Sequence, residues 1–122
     1  AARCGLLWRQ SSDGKIVAFL YQHNPSLSGI NVASVYKWSS ATAFSASYVE
    51  VPFYNQGPLI WQRLQDDGTN RKCFVSGDGQ NWQQIHSVGR TDYMTADEVG
   101  ICLDPAQATY VGGLTLLHWA EA

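Results

Sequence analysis

Residues 59–88 of this 122-residue chain read LIWQRLQDDGTNRKCFVSGDGQNWQQIHSV, and this stretch indicates how the chain folds. Three runs rich in apolar, β-branched and aromatic residues, at 59–65, 71–76 and 82–88, are separated by turns that each contain an Asp-Gly step. Such steps are typical of hairpin turns, because glycine readily supplies a positive φ. Three consecutive strands joined in this way predict an antiparallel meander.

The same pattern continues on both sides of this stretch. Helical periodicity is almost absent, and further short strands are predicted at 5–9, 15–21, 30–38, 45–51, 98–103 and 114–120. Asp13-Gly14 joins the first two as a hairpin, 39–44 is turn-like, and Pro52 ends a strand or marks an edge. Roughly nine short strands predict an all-β, two-sheet antiparallel sandwich, with a barrel as the alternative. The length predicts a single domain spanning residues 1–122.

Composition and charge narrow the classes of partner. Charged residues make up 15% of the chain and the net charge is −2, which gives no general attraction to phosphate backbones or anionic lipid. Nucleic acid and membrane are therefore not expected partners, and no apolar run approaches the roughly 20 residues of a membrane span. Cys4, Cys73 and Cys102 have no metal-binding spacing. Reduced thiols are the simpler interpretation, and one disulfide with one free thiol stays open.

Several short motifs carry a family resemblance. The succession Trp61-x-Arg63, Ser76-x-Asp78-Gly79-x-x-Trp82 and Val99-Gly100 resembles the concanavalin A-like lectin/glucanase superfamily, especially small laminin-G-like, jelly-roll members. Gly14-Lys15 and the segment 37–44 (KWSSATAF) look similar to domains of bacteriophage tail and virion proteins. The resemblance implies a jelly-roll sandwich. The run at 76–82 also looks like a sialidase Asp-box, but it departs from that pattern by one residue and occurs once.

The candidate ligand-binding residues lie on predicted strands. On the strand at 59–65, alternation places Trp61, Arg63 and Gln65 on one face, where a ring and hydrogen-bonding groups suit a sugar. Tyr36 and Trp38 extend that surface if the third strand belongs to the same sheet. Two alternatives stay open: Trp61 fills the inter-sheet core with Arg63 extended over it, which we favour slightly for Trp61, or the aromatic face forms an oligomer.

No catalytic or metal-binding set is predicted. Asp66-Asp67 and Asp97-Glu98 are adjacent pairs, which suits turns or opposite strand faces rather than a glycosidase pair, and Glu50 and Glu121 are solitary. The three histidines lie on different segments, so a zinc site is not indicated. The resemblance implies Ca²⁺ in some members, and the available oxygen donors are Asp66, Asp67, Asn70 and Asp104, for which solvated turn residues are the better interpretation.

The resemblance implies a non-catalytic glycan-binding or adhesion module of a phage tail or virion protein, made in the host cytoplasm and located in the phage particle. Its expected partners are cell-surface carbohydrate and other virion subunits or copies of itself. The alternatives are a structural or oligomerisation domain of a virion assembly and an accessory module of a glycan-degrading enzyme. No cofactor is expected, and Ca²⁺ stays open as the alternative that the resemblance implies.

Overall fold

A computed structural model of the chain describes residues 3–24, 30–53, 60–104 and 115–121. Within these ranges the backbone forms β-strands and no helix, which confirms the all-β class. The strands are β1 (Arg3–Arg9), β2 (Ile16–Asn24), β3 (Ile30–Ser40), β4 (Ala43–Phe53), β5 (Trp61–Asp66), β6 (Asn70–Ser76), β7 (Gln83–Gly89) and β8 (Glu98–Asp104). A search for a membrane-spanning helix among the described residues found none.

The strands form two antiparallel sheets, one of five strands in the order β4-β3-β2-β1-β8 and one of three in the order β5-β6-β7. Neighbours in each sheet follow the order of the sequence, except that β8 returns to pair with β1. Tight turns explain this order, because Gly14, Gly68 and Gly79 have φ values of 80°, 89° and 76°. The predicted β1–β2 hairpin and β5–β7 meander are both confirmed.

The hydrophobic core lies between the two sheets, as expected for a β-sandwich. Its buried members are Trp8, Val17, Phe19, Ala33, Val35, Cys73, Val75 and Met94. No residue of β8 belongs to this cluster of described residues, and Val99, Ile101 and Leu103 are 57%, 41% and 40% exposed. The covered part of the large sheet therefore stops short of β8.

The two sheets approach closely at Gly5 of β1. Gln62 of β5 donates a hydrogen bond from Nε2 to the carbonyl oxygen of Phe19, 3.2 Å away. A Cβ atom at position 5 would lie 1.9 Å from that same oxygen and 2.9 Å from Oε1 of Gln62. Only glycine fits here, because any side chain would overlap the backbone of β2.

Two sequence predictions about strand ends need correction. The ninth strand predicted at 114–120 is wrong over 115–120, where the described backbone has no regular structure, and Leu114 lies outside the described residues. The turn predicted at 39–44 is confined to residues 41–42, because β3 and β4 pair up to Ser40 and Ala43. Pro52 lies in β4, an edge strand, as its missing N–H requires. The breaks predicted at 25–29 and 55–58 and the loop around Pro105 lie outside the described residues.

Candidate functional site

The structure divides the five predicted ligand-binding residues between two surfaces. Tyr36 and Trp38 belong to β3, in the five-stranded sheet, whereas Trp61, Arg63 and Gln65 belong to β5, in the three-stranded sheet. The condition under which Tyr36 and Trp38 would extend the surface around Trp61 is therefore not met. Each surface needs its own description.

Trp61 lies outside the inter-sheet core, so the interpretation that it fills the core is wrong. Gln62 and Leu64, its neighbours in alternation, are the residues of β5 that approach the large sheet. The Trp61 ring packs on the turn after β6, where a Cβ at Gly79 would lie 2.9 Å from it. The centroid of the His118 ring lies 5.8 Å from that of Trp61. The chain itself thus contacts much of this ring.

Arg63 is held by two aromatic side chains on the same outer face. Its guanidinium carbon lies 4.4 Å from the Phe74 ring centroid and 4.5 Å from the Trp82 ring centroid. The planar cation therefore occupies the rings that a ligand would use. Gln65 is exposed at the end of the strand.

The turn between β6 and β7 holds Gly79 beneath Trp61. Oδ1 of Asp78 accepts hydrogen bonds from the backbone N–H groups of Gln80 and Asn81, both at 2.8 Å. These bonds hold the pKa of Asp78 well below its usual range. Asp78 thus stabilises the turn that places Gly79 beneath Trp61.

The outer face of the five-stranded sheet carries a second aromatic group and an open cavity beside it. Phe44 of β4 meets Tyr36 and Trp38 of β3 edge to face, with centroid distances of 5.6 Å and 5.4 Å. The turn at 41–42 and the register shift between Trp38 and Ser40 together cause this meeting, because they place Phe44 opposite Trp38 in the sheet. Phe44 is 53% exposed, so its ring is accessible from solvent.

We call the cavity beside these rings the aromatic groove. It has a volume of about 670 Å³ and is lined by Tyr36, Trp38, Phe44, Arg3, Glu50 and Asp104, together with small side chains of β4 and its turn. A smaller apolar cavity of about 170 Å³ adjoins it, since Trp38, Ala41 and Asp104 line both. A concave surface with aromatic walls and a few converging polar groups is the usual form of a small-ligand site.

A polar network fixes the wall of the aromatic groove. Arg3 donates to Oε1 of Gln22 at 2.7 Å, lies 3.5 Å from a carboxylate oxygen of Asp104, and covers the Tyr36 ring at 5.1 Å. The Tyr36 hydroxyl donates a hydrogen bond to Glu50. Burial and this bond raise the pKa of Tyr36, so the hydroxyl keeps its proton. The groove therefore offers fixed donors and acceptors beside the exposed Phe44 ring.

Sequence reasoning identified two of the residues that line the aromatic groove and missed the others as ligand contacts. Phe44 had only a partial local signal, because symmetric pairing across the turn at 41–42 would place it opposite Ser39, and a register shift in β3 places it opposite Trp38 instead. Arg3 and Asp104 had none, since they meet only through the pairing of β1 with β8. Glu50, which appeared solitary in the sequence, lies opposite Ser34 in the sheet.

A separate polar cluster lies between the sheets around Arg71 of β6. Arg71 is 1% exposed, donates to the carbonyl oxygen of Asp92 and lies 5.6 Å from the Trp8 ring. His86 of β7 stacks on Tyr48 with centroids 4.8 Å apart. Burial, and then the nearby Arg71 charge, lower the pKa of His86 and keep it neutral. Trp8 therefore contacts this cluster at Arg71, and Tyr48 contacts it at His86.

The Ca²⁺ donors suggested by the sequence do not converge. Asp66 ends β5 and Asp67 begins the turn after it, and their carboxylates accept backbone N–H bonds and pair with Arg90 and Lys72 at 2.7 Å each. Asp104 lies in the other sheet. Among the described residues no group of three or more histidine, cysteine or acidic side chains has metal-binding geometry.

The three cysteines are free thiols. Burial raises the pKa of Cys73 to about 12 and that of Cys102 to about 11. Thiols with such high pKa values hold their protons at neutral pH and are weak nucleophiles.

The chain was also compared with known proteins. No protein-family model, curated protein sequence or solved structure matches it.

Proposed function

We propose that this protein is a non-catalytic glycan-binding module that holds its ligand in the aromatic groove. The observation that carries this proposal is the exposed Phe44 ring, which meets Trp38 and Tyr36 at the wall of a cavity of about 670 Å³. A pyranose ring presents an apolar face that stacks on such aromatic side chains. The surface around Trp61 is the weaker candidate, because the chain's own groups pack against its rings.

The polar wall supplies the hydrogen bonds that a stacked sugar needs. Arg3 has fixed N–H donors, and the carboxylates of Glu50 and Asp104 accept from hydroxyl groups. Each of these side chains already has a partner that orients it, so little side-chain entropy is lost when the ligand binds.

We further propose that the two sheets form a concanavalin A-like jelly roll from a phage tail or virion protein. The support is the sequence motif, whose members Trp61, Arg63, Asp78 and Trp82 all serve the β5–β7 meander. Display in many copies on a particle would raise the avidity of a weak sugar site.

A glycan array followed by calorimetric titration tests the proposed function. We expect Trp38→Ala and Phe44→Ala each to weaken binding by about tenfold, equal to about 1.4 kcal/mol. Trp61→Ala serves as the matched control and should leave the affinity within about twofold. Loss of binding only in Trp61→Ala would move the site to the other sheet, and no bound glycan at all would refute the proposal. Release of shorter sugars from a bound glycan would show catalysis instead.

The exposed face of β8 favours a second candidate function, self-association in an assembly. The other edge of the sheet is protected, because β4 contains Pro52 and its pairing with β3 has register shifts. β8 contains no proline, and its seven pairs with β1 follow one another without a register shift. With a two-fold axis at Ile101, Val99 of each copy would face Leu103 of the other. Glu98 would then face Asp104 of the second copy, and their ion-pair partners Arg9 and Arg3 offset that repulsion.

Sedimentation tests the second candidate. A dimer that Ile101→Lys dissociates, and that Leu117→Lys leaves intact, would support pairing through β8. Leu117 is a suitable control because it is 70% exposed and lies outside the strands. A monomer at high concentration would refute this candidate without affecting the glycan proposal.

A further inference from the structure

The charge of the aromatic groove indicates which kind of glycan fits it. The charged side chains of its wall are Arg3, Glu50 and Asp104, so the wall carries a net charge of −1. Arg3 lies 3.5 Å from Asp104, and these two charges offset each other. Among the ion pairs between described residues none involves Glu50. The uncompensated charge of the wall therefore lies on the Glu50 carboxylate.

Glu50 is also fixed beside the aromatic rings. It accepts the hydrogen bond of the Tyr36 hydroxyl, and the Tyr36 ring is in edge contact with Phe44. An aromatic face attracts a cation through its quadrupole, and a carboxylate at its margin adds a charge-assisted hydrogen bond. Rings and carboxylate together suit an ammonium group better than a neutral hydroxyl or an acid.

We propose that the ligand is a glycan with a free, protonated amine, that is, a deacetylated amino sugar. The pyranose ring stacks on Phe44 and Trp38, and its ammonium group donates to Glu50. An N-acetyl group removes the charge and adds bulk, and an acidic sugar is repelled by Glu50. This inference rests on the proposed function, because it concerns the ligand of the same groove.

Three oligosaccharides of equal length test the inference by calorimetric titration: glucosamine, N-acetylglucosamine and glucose oligomers. The titrations are carried out at about pH 5.5, where the amine of the glucosamine oligomer is protonated. We expect the glucosamine oligomer to bind about tenfold more tightly than the glucose oligomer, which has a hydroxyl in place of the amine. The glucose oligomer separates the effect of charge from that of the acetyl group.

Glu50→Gln should abolish this preference, so that the glucosamine and glucose oligomers bind the variant with equal affinity. Glu98→Gln, which neutralises an acid at the far end of β8 from Asp104, should retain it. Equal affinities of the native protein for glucosamine and glucose oligomers would overturn the inference and leave the proposed function standing. A preference that persists in Glu50→Gln would also overturn it. If no glycan of any kind binds, the proposed function fails as well.

Discussion

The outer faces of the two sheets each carry three aromatic side chains and yet differ in what they offer a ligand. On the small sheet, Arg63 lies against Phe74 and Trp82, and Trp61 packs on Gly79. On the large sheet, Arg3 lies over the Tyr36 ring, but Phe44 is 53% exposed and meets Tyr36 and Trp38 edge to face beside a cavity. The number of aromatic residues on a strand face is thus a poor indicator of a site. The groups that already contact the rings decide whether a ligand can.

The comparison depends first on the two sheets remaining packed, and Gly5→Ala should break that packing. The added Cβ would lie 1.9 Å from the backbone oxygen of Phe19, which cannot move without displacing β2. We expect a loss of about 3 kcal/mol in the free energy of unfolding, measured by urea denaturation. Gly89→Ala is the control, because nothing lies within 4 Å of its Cβ position, and unchanged stability of Gly5→Ala would contradict the close approach.

A smaller loss of stability is expected at Gly79, which lies against the Trp61 ring of the small sheet. Gly79→Ala imposes an unfavourable positive φ and pushes a Cβ against the Trp61 ring, so we expect a loss of about 2 kcal/mol. Gly68→Ala has a similar φ and no neighbour within 4 Å, and should cost about 1 kcal/mol. Chemical denaturation of both variants measures the difference. Equal losses would show that the Trp61 ring is free to move and is available to a ligand.

Arg63→Ala should lower stability less than Gly5→Ala or Gly79→Ala, and it tests whether the outer face of the small sheet binds the ligand. Removing a cation held by two half-buried rings should reduce stability by about 1 kcal/mol and leave glycan affinity unchanged. Arg90→Ala, which removes an exposed ion pair with Asp66, is the control and should cost about 0.5 kcal/mol. Weaker glycan binding by Arg63→Ala with full stability would place the ligand on the small sheet.

The smallest effect is the pH dependence of stability that arises from His86, which lies between the sheets. Because the pKa of His86 is lowered in the folded protein, the unfolded chain binds the proton more readily. Stability should therefore be full above the ordinary histidine pKa of about 6.5 and decline as the pH falls below it. Denaturation midpoints between about pH 8 and pH 5 measure this decline, and His86→Gln should flatten it. An unchanged profile in His86→Gln would assign the decline to other groups.

Local features of the sequence were sufficient for most of the strands. Alternation and Asp-Gly steps fix where β1, β2, β5, β6 and β7 turn, since hairpin geometry depends on only a few adjacent residues. The strand predicted at 115–120 failed because strand formation there depends on a partner strand and not on adjacent residues alone. Its apolar residues suit a strand, but a strand forms only beside a partner, and no described strand pairs with this segment.

The candidate site was harder to predict because it depends on which strands share a sheet. The sequence placed Tyr36 and Trp38 on the third strand but left open whether that strand shares a sheet with β5, and the structure places the two strands in different sheets. Arg3 begins the first strand and Asp104 ends the last one, and they meet only through the long-range pairing of β1 with β8. Patterns of alternation give the face of a residue and not the strand beside it.

The return of β8 to β1 also has a consequence for the order in which the chain folds. Every other pairing joins strands that are consecutive in sequence, so each closes a short loop. The β1–β8 pairing must instead close a long loop that contains all the strands from β2 to β7. Closing this loop costs more chain entropy and slows the formation of the pairing. We therefore expect β8 to join last and to separate first, with backbone amides that exchange hydrogen sooner than those of β2. Because Asp104 leaves together with β8, the wall of the aromatic groove would then be among the last parts of the molecule to form.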